Sequence, residues 1–347
     1  MSERTLLGFI ANTCRKISDQ IDSSIKKSEG GTVTLVTNED VKAIIKDTIT
    51  PAYIESLSAT KKEPVVMNED DGSCLVFANG TPIVVTDRTD GEIGSVITWD
   101  GGSVTVKKAS IFGGCHDDDT PVASSIIVKG GTISNIFGGG MHKSHTLLAE
   151  VKVYGGKIDY IMGAGASSFD KICGCANGSN WYAGDPTGSP CVTDEARVFV
   201  YGGDVDLIYG GNEGIGYTKK VVVLIDNPTL DIRYVTAGGS NGGTEDAHVI
   251  IENVKKIDCI QGANRGFVKN VTIDIYGGSI IETAYAGAEL PCTDTNATVN
   301  KAVLNIYKSG VNHGLTVMHA YKGGNNRKSM DEMEADDELN VGSVNFI

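Results

Sequence analysis

Several features that would mark a particular class of protein are scarce in this sequence or missing from it. Proline is rare, with 8 residues in 347, whereas glycine is abundant at 44. This combination argues against a disordered or collagen-like chain. No apolar run approaches the roughly 18 residues of a membrane-spanning helix, so we expect no membrane insertion. The N-terminal residues lack the basic start, apolar stretch and cleavage site of a secretory signal.

Positive charge is also in short supply. The chain has 30 Lys and Arg against 44 Asp and Glu, a net charge of −14. No basic stripe is visible, so nucleic acid is not an expected partner, whereas neutral glycans remain compatible with an acidic surface. No Ser-His-Asp order, P-loop or dinucleotide fingerprint occurs, and the GNEGIG segment at 211–216 reads as a structural corner. We therefore expect no cofactor.

The abundant glycines belong to an internal repeat. One element reads apolar–x–apolar–x–Gly–Gly–x–apolar, and a second element with a Gly corner follows it after a short step. Copies of the first element lie at 97–104, 126–133, 151–158, 198–205, 223–230, 249–256, 273–280 and 304–311. The shortest period is about 24 residues, and longer intervals contain insertions.

This repeat predicts the fold class. Apolar alternation indicates strands with one buried face, and paired glycines permit sharp corners. A single unit cannot bury its face alone, but stacked units can. We therefore expect an all-β parallel β-solenoid of about eight coils with a small α-helical N-terminal segment. A propeller blade needs about 40 residues, which is too long for this period.

Domain boundaries follow from changes in pattern. We predict an N-terminal helical anchor and oligomerisation segment at 1–60, capping strands at 61–95, the β-solenoid at 96–328 with an insertion at 166–197, and an acidic tail at 329–347. The apolar stripe of the first helix would favour trimers or tetramers, unless it packs on its own chain. Its stripe consists of Ile10, Cys14, Ile17, Ile21 and Ile25.

The insertion at 166–197 and the corner loops hold the candidate binding residues. Trp181 and Tyr182 could stack on a sugar ring or pin the loop to the body of the protein. Cys173, Cys175 and Cys191 could be reduced, disulfide-bonded or zinc-bound, and the spacing does not decide between these states. Without a secretion signal, the eight cysteines are expected to be reduced thiols.

Loops that leave the same corner of a repeat form one composite surface. The acidic run His116–Asp119 lies in one such loop, with His142 and His145 in the next. These side chains match no metal motif, so we predict a solvated turn and no metal site. The candidate ligand-binding residues here are His116, Asp117, Asp119 and Glu213. A glycan-degrading enzyme would need two carboxylates facing one groove, and the sequence does not pair Asp117, Asp119, Asp170, Asp185, Glu213 or Glu289.

With its V-x-V-Y-G-G-x-I segments, I-x-G-G corners, Ile-rich N-terminal helix and missing secretion signal, the chain resembles the β-helical fibres and tailspikes of bacteriophage virions. The resemblance covers about 95–325 and concerns architecture alone. It implies a homotrimeric fibre, an N-terminus attached to other virion proteins, and a surface that meets host glycans. No catalytic signature is matched, so no catalytic residue is carried over.

From these observations we expect a structural or adhesive virion fibre protein that presents a loop surface for attachment to host-surface glycans and is not an enzyme. Two alternatives stay open. One is a polysaccharide-degrading β-helix enzyme, a lyase or glycosidase, and the other is a bacterial surface repeat protein that binds carbohydrate.

Overall fold

The computed structural model describes residues 59, 61–68, 73–166, 191–214, 216–240, 242–264, 267–278, 280–288, 298–307, 315–321 and 342–347. All of them belong to the unit Ala59–Ile347. Seventeen strands make up the secondary structure of this part of the chain. They are β1 (Val65–Asn68), β2 (Cys74–Phe77), β3 (Ile83–Asp87), β4 (Ser95–Trp99), β5 (Gly102–Val106), β6 (Ala109–Phe112), β7 (Val122–Phe137), β8 (His145–Met162), β9 (Val192–Val200), β10 (Asp204–Tyr209), β11 (Tyr217–Thr236), β12 (Gly243–Ala263), β13 (Phe267–Ile275), β14 (Ile280–Ala288), β15 (Thr298–Ile306), β16 (Thr316–Tyr321) and β17 (Gly342–Phe346).

Most strands pair in parallel, in two series that we call the first and second ladders. The first ladder runs β3–β7–β8–β9–β11–β12–β13–β15–β17. The second runs β2–β6–β7–β8–β10–β11–β12–β14–β16. The long strands β7, β8, β11 and β12 belong to both ladders. Each of them bends, so that its first half pairs in one ladder and its second half in the other.

Four strands close a circuit. Strand β8 pairs with both β9 and β10, and each of these pairs with β11. The four strands are parallel throughout and form a closed four-stranded barrel. The bends in β8 come from Gly155-Gly156, where Gly156 has φ +92°, a conformation that residues with a Cβ rarely adopt.

The main core lies between the two ladders. Side chains alternate along the first half of β8, so Val151 and Val153 both enter one buried cluster, which Ile158 and Ile161 of the second ladder also join. A smaller cluster lies on the other side of the second-ladder strands. In it, Phe112 stacks on Phe77 and Phe137 with ring centroids 4.8 and 4.4 Å apart.

The N-terminal strands are antiparallel. Strand β1 pairs with β2 in this way, and β4 pairs with both β3 and β5. The segment 97–104, which the sequence indicates is a copy of the repeat, is therefore a hairpin. Trp99 pairs with Gly102 across the turn at Asp100-Gly101, and Asp-Gly is a sequence that two-residue hairpins favour.

The predicted fold class, a parallel β-solenoid with a small α-helical N-terminal segment, is wrong. The described residues are all strand and turn and include no helix, and their pairings form a closed parallel barrel with further strands attached. The repeat reveals alternating polarity along each strand and the positions of glycine corners, and both are local features of the chain. The Gly-Gly of the motif lies at a hairpin turn in the copy at 97–104 and at a bend within a continuous strand in the copy at 151–158. The pattern therefore does not decide which strands pair. The predicted helices at 1–60 lie outside the described residues, as do Ile10, Ile17, Ile21 and Ile25.

Candidate functional site

The structure aligns two of the predicted site residues in one column. Isolated parallel bridges join His116 to Met141, Met141 to Ala166, and Ala166 to Glu213. Neighbouring strands lie about 4.8 Å apart, so three steps separate His116 from Glu213 by about 14 Å. This separation is too large for the two side chains to act on the same bond of a substrate.

The backbone conformation explains which residue types follow this column. Asp117 and His142 both have φ +53°, and Gly214 after Glu213 has φ +72°. Asp and His are among the few residues other than Gly that occupy this left-handed region readily. The amides of Asp117 and His142 donate to the carbonyls of Met141 and Ala166 at 3.2 and 2.8 Å. Both side chains therefore lie at tight turns that link neighbouring strands.

The acidic run of this corner is paired with lysines. The Asp119 carboxylate lies 3.1 Å from Lys143 Nζ, with both side chains exposed, and Asp118 pairs with Lys62. Hydrogen bonds from Lys62 and then Thr120 hold the pKa of Asp118 well below its usual range. Among the described residues, no group of three or more His, Cys, Asp or Glu side chains is arranged to hold a metal ion.

Two other predicted site residues, Glu213 and Cys191, are buried. Glu213 is only 5% exposed, and its amide donates to Gly165 O at 2.9 Å. Cys191 is fully buried beside Ser144, 3.1 Å from its hydroxyl oxygen, and burial raises the pKa of its thiol to about 11. Such a thiol is not reactive at neutral pH. Trp181, Tyr182, Cys173, Cys175, Asp170, Asp185 and Glu289 lie outside the described residues.

A different surface carries aromatic side chains that the sequence reasoning missed. Tyr154 and Tyr201 stack with ring centroids 5.4 Å apart and an interplanar angle of 20°. Phe199 lies 6.4 Å from Tyr201 and is inclined to it by 9°. The two tyrosines are 51% and 38% exposed. We call Tyr154, Phe199 and Tyr201 the tyrosine platform.

Strand alternation explains the position of this platform. Val153 and Val200 are partners in register and fully buried. The residue that follows each of them points away from the core, and it is a tyrosine in both strands. The signal was present in the repeat, because Tyr precedes Gly-Gly at 154 and 201. The glycines of that motif form the bend, and the adjacent tyrosine is the side chain that reaches solvent.

Polar groups surround the platform. The Lys152 ammonium lies 5.9 Å from the centre of the Phe199 ring and 2.5 Å from Glu150 Oε1. Burial and then the nearby Tyr154, Asp226 and Glu150 raise the pKa of Tyr201. The Tyr201 hydroxyl therefore stays protonated at neutral pH, when it can both donate and accept hydrogen bonds.

This arrangement has the chemistry of a carbohydrate contact. Because the two tyrosine rings face each other, the apolar area left for the C–H groups of a sugar ring is their outer faces and ring edges, and their polar tips remain in water. Carboxylates such as Glu150 and Asp226 accept hydrogen bonds from hydroxyl groups. The platform therefore combines stacking area with groups that orient a polyhydroxylated ligand.

Comparisons of the chain with protein-family models, with curated proteins and with solved structures find no match. The described residues include no helix that is long and apolar enough to cross a membrane.

Proposed function

We propose that this protein is a non-enzymatic, adhesive structural protein that binds glycans at the tyrosine platform. The observation that carries the proposal is the pair of exposed, stacked tyrosines, Tyr154 and Tyr201, on adjacent strands. Exposed aromatic rings that lie side by side form an apolar patch, and such patches often mark a contact surface. A strongly acidic chain disfavours polyanionic partners, and neutral sugars supply the hydroxyl groups that the surrounding carboxylates accept.

The virion setting is part of the same proposal and rests on the sequence resemblance alone, since the β-helical fold that the resemblance implied is not the one observed. In that setting the protein forms a homotrimeric fibre, the N-terminal residues attach to other virion proteins, and the exposed surface contacts host glycans.

Affinity electrophoresis tests glycan binding. Native gels containing dextran, laminarin, xyloglucan or galactomannan should retard the full chain in at least one case. Replacing both Tyr154 and Tyr201 with Ala should weaken retardation at least about tenfold, because each stacked ring contributes about 0.5–1.5 kcal/mol beyond its buried area. Phe267→Ala, which removes a 38% exposed aromatic ring elsewhere, is the matched control. Equal retardation of the double variant and the wild type would refute the platform as the binding site.

A further inference from the structure

The tyrosine platform is one end of a longer column on the first ladder. The residues Val153, Val200, Ile225, Ile251, Ile275 and Ile306 are successive partners in register along six strands. The residues that follow them are Tyr154, Tyr201, Asp226, Glu252, Tyr276 and Tyr307. We call these six residues the tyrosine column. Its order is two aromatic residues, two acidic residues and two aromatic residues.

The far end of the column is a second stacked pair. Tyr276 and Tyr307 have ring centroids 4.3 Å apart and an interplanar angle of 12°. Their amides donate to Ile251 O and Ile275 O at 2.8 and 2.9 Å, which continues the ladder past the ends of the strands. Both side chains are half-buried. The Tyr307 hydroxyl donates a hydrogen bond to the Asp274 carboxylate, and the hydroxyl groups of Tyr276 and Tyr307 are hydrogen-bonded to each other.

The acidic centre is adjacent to both aromatic pairs. Besides burial, the negative charge of Asp226 raises the pKa of Tyr201, and the negative charge of Glu252 raises the pKa of Tyr276. Asn253 Nδ2 donates to Asp226 Oδ1 at 2.8 Å, which fixes the orientation of this exposed carboxylate. A register shift between Ile225 and Asp226 makes Asp226 the partner of Asn253. Glu252 is the extra residue, so the centre presents two carboxylates and one amide.

The spacing selects the shape of the ligand. Tyr201 and Tyr276 are three strand steps apart, which is about 14 Å. One sugar ring cannot reach both aromatic pairs, whereas an extended oligosaccharide can, because one pyranose unit is about as long as one strand step. We propose that the tyrosine column binds an extended, linear, neutral polysaccharide, with sugar rings packed against the exposed ring atoms of each tyrosine pair and hydroxyl groups bound by Asp226 and Glu252. This inference rests on the proposed glycan-binding function.

Chain length is the decisive variable in the test. Polysaccharides that retard the full chain in native gels are cut into size-fractionated oligosaccharides, from disaccharides to hexasaccharides, and each fraction is titrated by isothermal calorimetry. Affinity should rise at least about tenfold from the disaccharide to the hexasaccharide, because only the longer chains engage both tyrosine pairs. A linear uronic-acid polymer, polygalacturonate, should bind at least tenfold more weakly, because the column centre is acidic.

Variants separate the column from the platform. Asp226→Asn with Glu252→Gln should remove the discrimination against polygalacturonate and keep stacking intact. Tyr307→Ala should abolish the gain from chain length, whereas Tyr307→Phe, which keeps the ring, should retain that gain. Phe267→Ala should alter neither property. Circular dichroism confirms that each variant folds.

The outcomes distinguish the two proposals. If disaccharides and hexasaccharides bind equally well through Tyr154 and Tyr201, the extended column is wrong and the glycan-binding proposal stands. If no neutral glycan binds in gels or in calorimetry, both are wrong. Release of shorter fragments from the hexasaccharide would show that the acidic centre is catalytic, which overturns the non-enzymatic proposal.

Discussion

At the scale of single residues, Asp274 shows how the ladders accommodate buried charge. Asp274 is 7% exposed. Its two carboxylate oxygens accept hydrogen bonds from His248 Nε2 and Asn305 Nδ2, each at 2.7 Å. Burial by itself would raise the pKa of this carboxyl group, but the hydrogen bonds from His248, Asn305 and Tyr307 outweigh it, so the pKa is lowered. The carboxylate is therefore a structural anion that joins neighbouring strands.

A lowered pKa makes the stability contribution of Asp274 depend on pH. A group whose pKa is lower in the folded state stabilises the fold above its unfolded pKa of about 3.9, and this contribution is lost as the pH falls through the folded value. Asp274→Asn should lower the free energy of unfolding by about 2 kcal/mol at pH 7. Urea unfolding from pH 7 to pH 3 should show the difference between the two proteins shrinking below about pH 4.

The control for this prediction is an exposed ion pair. Asp206 pairs with Arg233 at 2.6 Å, and both side chains are exposed. Asp206→Asn should cost less than about 1 kcal/mol at pH 7. If Asp274→Asn followed the wild type at every pH, the charged hydrogen bonds would contribute nothing to stability.

At the scale of strands, the glycine corners are set by the approach of neighbouring strands. A Cβ on Gly138 would overlap the carbonyl oxygen of Gly163 on the next strand of the ladder and would press on Ala149. Gly113 faces Gly138 O in the same way, and Gly163 faces Gly210 O. These corners are glycine because the backbones pass too close for a side chain.

The cost of a side chain at such a corner can be measured. Gly138→Ala should lower the free energy of unfolding by about 1–3 kcal/mol, because the strands must separate or bend to admit the methyl group. Gly91→Ala is the comparison: its Cβ would meet nothing within 4 Å, so only the strain of φ +79° opposes it, at about 1–2 kcal/mol. Gly91→Ala should leave the amide exchange of β7 and β8 unchanged, whereas Gly138→Ala should accelerate it. Wild-type exchange rates in Gly138→Ala would show that the corner has room.

The residue pattern predicted strand-forming segments more readily than their partners. The segments 126–133 and 151–158 alternate in polarity, and each lies within a strand, β7 and β8. The segment 97–104 has the same pattern and forms an antiparallel hairpin. Alternation and turn residues act locally, whereas pairing depends on which distant segment offers a matching edge. The sequence could therefore not decide between these outcomes.

At the scale of the whole molecule, the oligomeric state remains a prediction from the sequence. The Ile stripe of the N-terminal segment favours a trimer or tetramer, and the resemblance to virion fibres favours the trimer. Static light scattering of the full chain should give three times the mass of the 36.5 kDa chain. Ile17→Asp with Ile21→Asp should dissociate it, because two charges would replace apolar contacts.

A charge-matched variant serves as the control. Asn12→Asp with Ser23→Asp adds the same two charges away from the Ile stripe, so the trimer should persist. A monomeric mass for the unaltered chain would exclude the trimer. If both double variants dissociated, the added net charge, and not the loss of the Ile stripe, would be the cause of dissociation.

One part of the candidate surface was visible in the sequence, and the other part is visible only in the structure. The acidic loop at His116–Asp119 stood out in the sequence, but its aspartates lie at turns or in pairs with lysines. The tyrosine column did not stand out, because its six members are spread from Tyr154 to Tyr307. Only the parallel pairing of the residues that precede them places them side by side.

By itself, the sequence determined the strand-forming segments, the glycine corners and the acidic charge of this protein. Polarity alternation, backbone freedom and ionisation are properties of single residues and their nearest neighbours, so they can be read from the order of residues. The tertiary structure alone decided the closed barrel, the antiparallel start and the alignment of the tyrosine column. The barrel and the column depend on hydrogen bonds between segments about 25 or more residues apart. The antiparallel start joins nearer segments, but their local pattern is shared with copies that pair in parallel, so it did not decide the direction of pairing.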